Sequence, residues 1–108
     1  MIEYNYLTGQ PSEVISSLNR SLGQYKRTYS KMKVGITGRS PADRFYEHSE
    51  YQNWDKMVVL YQTSSERNAN TIEDWLIENH YGDLINQRLI YSPLADGKEK
   101  IVYILLER

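Results

Sequence analysis

Residues 31–48 read KMKVGITGRSPADRFYEH, and the fold turns on how this stretch is divided. Residues 32–37 are apolar and partly β-branched, so they are expected to form a strand. Gly35 inside that strand implies that a backbone or a ligand comes close. Gly38 to Pro41 is a turn in which Ser40 suits a helix N-cap and Pro41 the first helical position, and a helix is expected over 41–50. On that helix Arg44 and His48 stand four residues apart and share a face. Such a pair beside a glycine turn is, taken alone, ordinary surface. It gains meaning from the rest of the chain.

Working outward, residues 2–7 (IEYNYL) alternate weakly and suggest a short strand. Val14, Ile15, Leu18, Leu22 and Tyr25 recur at helical spacing and predict a helix over about 12–26. KMVVLYQT (56–63) reads as a buried strand. TSSERNANTIEDWLIENHYG (63–82) reads as a helix with Ala69, Ile72, Leu76 and Ile77 as its inner stripe. Thr63 or Ser64 would cap it, Glu66 would close a capping box with Thr63, and Gly82 would take a left-handed C-cap. Residues 88–99 form a loop with a turn at Asp96-Gly97. KIVYILLE (100–107) is apolar enough for a central strand. The expected fold is therefore one α/β (α+β) domain over residues 1–108, with a small central, mostly antiparallel sheet flanked by helices.

Composition sets the frame. The chain has 108 residues and no cysteine, which removes disulfides and thiolate metal sites and fits a reducing cytoplasm. No apolar run approaches the roughly 20 residues of a membrane helix, and the first residues lack the pattern of a signal peptide. A soluble, cytoplasmic domain without membrane contact is expected. Net charge is only −1, but it is unevenly spread. Arg20, Lys26, Arg27, Lys31, Lys33, Arg39 and Arg44 face the single acid Asp43 within 20–44, a local charge of +6. Residues 66–83 carry five acids against Arg67 alone. This division suits a basic face directed at phosphates. Ten tyrosines are more than usual; most must be filler, leaving one or two as candidates for chemistry.

Four segments together resemble the GIY-YIG nucleases. KVGIT resembles the strand of the family's second motif. ADRFYEH resembles the helix that follows, with its Arg and, four residues later, a His or Tyr. ANTIEDWLIENHY resembles the later helix with its Glu, and LINQR the segment with the closing Asn. The strand of the first motif has no counterpart just upstream, where a helix is expected instead. IVYILL, at the C-terminus, resembles it best, which implies a circularly permuted member with the 100–107 strand antiparallel to 32–37. Tyr103 would then be the first-motif tyrosine; an unpermuted order would give that place to Tyr4 or Tyr6.

The resemblance implies a metal-dependent DNA endonuclease that hydrolyses phosphodiesters through a tyrosine/arginine/glutamate site. Tyr103 would deprotonate or position water. Arg44 offers a planar, permanently charged fork for phosphoryl oxygens. His48 can pass a proton near neutral pH. Glu73 would hold Mg²⁺ (or Mn²⁺), whose other ligands come from water and substrate phosphate. Asn86 would brace the tyrosine's surroundings. Lys33 stands where the family has its second-motif tyrosine; it cannot replace a phenol but can bind phosphate. Gly35 and Gly38 would make room for the nucleic-acid backbone.

DNA is the expected partner, with a homodimer or a partner protein supplying specificity. Two other readings stand beside the nuclease. One is a catalytically weak or inactive nucleic-acid-binding module on the same fold. The other is a small α/β protein-interaction domain whose tyrosines form an interface. No phosphate-cradling P-loop, dinucleotide fingerprint, zinc-ligand spacing or serine nucleophile motif is present. His80 falls in the last turn of its helix, where a cation is favourable, and reads as structural.

Overall fold

A computed structural model of the chain describes residues 2–38, 40–49, 54–84 and 99–108, with residues 48 and 49 described by their backbone alone. The elements follow in the order β1 (Ile2–Leu7), α1 (Pro11–Thr28), β2 (Lys31–Thr37), α2 (Pro41–Ser49), β3 (Lys56–Thr63), α3 (Glu66–Asn79) and β4 (Lys100–Glu107). Among the described residues this is an α+β domain with one four-stranded mixed sheet and three helices.

The strand order is β1-β3-β4-β2. β1 runs parallel to β3, while β4 is antiparallel to both of its neighbours. The last strand of the chain therefore lies inside the sheet. Its composition explains why: Lys100 to Leu106 are all buried, which an edge position would not allow. Pairing with β2 is regular, from Lys31 opposite Glu107 to Thr37 opposite Ile101.

Alternation along the strands feeds two separate cores. Met32, Val34, Val58, Leu60, Val102, Ile104 and Leu106 meet Val14, Leu18 and Leu22 of α1 and Ala69, Ile72 and Leu76 of α3. On the opposite face Met57, Tyr103 and Leu105 meet Trp54, with Ile2 and Phe45 of α2 packed against them. The register of β3 slips between Val59 and Tyr61. A bulge there turns Tyr61 into the larger core, where its hydroxyl donates to the Gly9 carbonyl.

Several local expectations are corrected. α1 runs one or two residues longer at each end than its apolar spacing suggests, because Pro11 can occupy a first-turn position without a helical donor. α3 is capped by Ser65, whose Oγ accepts from Asn68 N at 3.1 Å; Thr63 Oγ1 instead accepts from Ser65 N. Gly82 makes no left-handed cap: His80 is the C-cap of α3, and among the described residues Gly9 alone is a glycine at positive φ. His80 has a structural place, as expected, but through a contact with another helix. It is buried, its Nε2 lies 2.6 Å from Asn19 Oδ1, and burial lowers its pKa. The Asp96-Gly97 turn lies outside the described residues.

Candidate active site

Gly35 and Tyr103 are directly opposite each other in the β2–β4 ladder. The phenol leans across β2 so closely that a Cβ on residue 35 would stand 2.5 Å from Tyr103 Cζ. Gly35 is thus needed for a reason other than the one its sequence suggests. The space above it is filled by the Tyr103 ring, not kept clear for a nucleic-acid backbone.

α2 places Arg44 over this pair. Ser40 Oγ accepts from Asp43 N at 3.3 Å and Pro41 opens the helix, while Phe45 anchors it to the smaller core. Arg44 Nε donates to the Tyr103 hydroxyl at 3.2 Å, and Arg44 Nη1 lies 3.1 Å from Glu47 Oε2. Burial opposes the Arg44 charge, but Tyr103 and Glu47 outweigh it and raise its pKa. Tyr103 is only 1% exposed. Burial pushes its pKa up, with Glu73 and Glu47 adding to the rise and Arg44 opposing it. The phenol is therefore neutral at physiological pH and suited to hydrogen bonding rather than to acting as a phenolate base.

Glu73 lies beside Ile72 on α3, whose stripe packs on the other face of the sheet. Its charge nonetheless contributes to raising the Tyr103 pKa. Burial, with Asp74 adding repulsion, raises its pKa to about 7. A half-buried carboxylate in this state gains from a cation, which would displace the proton and relieve the repulsion. Among the described residues no three His, Cys, Asp or Glu side chains converge into a metal cage. The donor set fits a hard cation held by one carboxylate and otherwise by water and phosphate.

Lys33 is two residues before Gly35 on the same face of β2 and pairs with Leu105. Burial lowers its pKa, and the Arg44 charge lowers it further. The structure thus brings Tyr103 and Arg44 into contact, places Lys33 on the same face of β2 as Gly35, and leaves Glu73 on the helix that packs against the other face of the sheet. His48 follows Arg44 by one turn of α2, but its side chain lies outside the described residues, as does all of Asn86. Tyr4 and Tyr6 are exposed on β1, the opposite edge strand, with two strands between it and β2.

Glu47 is a site residue that sequence reasoning did not pick out. Its position three residues after Arg44 was the available signal. The basic stretch 20–44 also divides: α1 packs in one core and α2 against the other. Lys26 pairs with Asp83 at 3.7 Å and Lys31 with Glu107 at 3.6 Å, so part of its charge is already met. Among the described residues no helix is long and apolar enough to cross a membrane.

No family model, no curated protein and no solved structure matches the chain.

Proposed function

We propose that the chain is a metal-dependent endonuclease that hydrolyses DNA phosphodiesters through Tyr103, Arg44 and Glu73, as a permuted relative of the GIY-YIG nucleases. The observation that carries this reading is the Arg44–Tyr103 hydrogen bond over Gly35, with Glu73 within electrostatic range of the same phenol. A permanent cation, a fixed phenol and a carboxylate are groups that phosphodiester hydrolysis can use. Arg44 binds the phosphoryl oxygens and stabilises the charge that grows on them. Tyr103, neutral and held by Arg44, positions the attacking water. Glu73 would hold Mg²⁺ or Mn²⁺, which supplies charge neutralisation at the phosphate and leaving oxygen. His48 and Asn86 keep the roles the resemblance implies, a proton carrier and a brace.

Supercoiled plasmid incubated with the protein and Mg²⁺, then with EDTA in place of Mg²⁺, tests the reading. Nicking that EDTA abolishes is expected; an intact plasmid under both conditions would sink it.

One observation favours a second reading, a non-catalytic nucleic-acid binder. Tyr103 is almost fully buried and Lys33 replaces a second phenol. Such a module would bind DNA without cutting it, with log-log salt slopes of roughly −0.9 per phosphate contact on duplex DNA.

A further inference from the structure

Lys33 is a half-buried cation on the α2 face of the sheet, one pleat from Gly35 and close enough to Arg44 to be repelled by it. An anion between two such cations would stabilise both. Here Glu47, the acid at hand, is bonded to Arg44. Lys33 makes no ion pair or hydrogen bond among the described residues. Two residues of strand separate it from the Tyr103–Arg44 contact, roughly 7 Å, a step that the backbone of one nucleotide spans. An ammonium on a flexible stem supplies charge without a fixed fork, which suits a phosphate that must be held but not transformed. Arg44, with its planar fork fixed by Tyr103, suits the phosphate that reacts.

We propose that Lys33 holds the phosphate next to the one at Arg44, so that the site takes a strand with consecutive phosphates in preference to an isolated phosphodiester. The inference rests on the nuclease reading for the identity of the reacting phosphate, but the subsite itself requires only binding.

NMR titration in EDTA compares a thymidine dinucleotide carrying phosphates at both ends with the same dinucleotide lacking them. The wild-type protein is expected to bind the first about tenfold more tightly, the worth of one charge-assisted contact. Lys33→Met is expected to bind the two about equally, and Lys33→Arg to keep most of the preference. Should Lys33→Met lose its dispersed spectrum, Lys33→Gln takes its place. Absence of the preference in the wild type, or its survival in the neutral variant, overturns the proposal, as does failure of the end-phosphorylated dinucleotide to bind. Because no cleavage is needed, a preference that appears in a protein that never cuts plasmid leaves the subsite standing and removes only the nuclease reading.

Discussion

The Tyr103 ring lies over Gly35, its partner across the β2–β4 ladder, and there receives a hydrogen bond from Arg44. One glycine therefore sets the position of both the phenol and the guanidinium. Gly35→Ala puts a methyl group 2.5 Å from Tyr103 Cζ, and the ring must move. A loss of about 1–3 kcal/mol is expected. In Tyr103→Ala, where the ring is gone, Gly35→Ala is expected to be close to neutral, and a denaturation double-mutant cycle reads the difference.

Removing the hydroxyl alone separates chemistry from packing. Tyr103→Phe keeps the ring over Gly35 and loses the bond from Arg44, at about 1 kcal/mol of stability. The fold should persist by circular dichroism while nicking falls sharply. A Tyr103→Phe protein that nicks at the wild-type rate takes the hydroxyl out of the site.

β4 is an interior strand, and it carries the β2 ladder and one of the two β3 ladders. Deleting residues 101–108 removes members of both cores at once. A collapsed or unfolded chain without dispersed amide resonances is expected.

His80 gives the pH dependence of the fold a defined sign. Burial lowers its pKa below the usual 6.5, against a smaller opposing effect of Asp83. The folded state thus prefers the neutral ring. Its contribution is full above the unfolded pKa and is lost as pH falls through the lower folded value. The denaturant midpoint of the wild type should drop between about pH 7 and pH 5, and His80→Gln should flatten that part of the profile. An unchanged slope in the variant would show that other groups set it.

The strands and helices were largely legible because their patterns are strong. KMVVLYQT and KIVYILLE are apolar runs too long to leave exposed, and Ala69, Ile72 and Leu76 mark one helix face. What escaped depended on contacts distant in sequence. Gly35 announces a close approach but does not name Tyr103, which comes 68 positions later and meets it only through the register. His80 reads as structural, but its partner Asn19, on another helix, cannot be named from the sequence. The charge of residues 20–44 looks like one surface because sequence does not reveal that α1 and α2 cover opposite faces. Arg44 meets Tyr103, yet its other partner, Glu47, was not singled out in the sequence.

The most direct measurement of the central claim is the Mg²⁺-dependent nicking rate of Glu73→Gln beside that of the wild type. The change keeps the side chain's shape and removes a charge that burial already disfavours, since Glu73 titrates near pH 7. Folding should therefore be kept or slightly strengthened. A neutral amide holds Mg²⁺ poorly, and the rate is expected to fall at least about a hundredfold, near 2.7 kcal/mol of barrier, while DNA binding in EDTA stays as in the wild type. A folded Glu73→Gln protein that nicks plasmid at the wild-type rate would contradict the assignment of Tyr103, Arg44 and Glu73 as the active site.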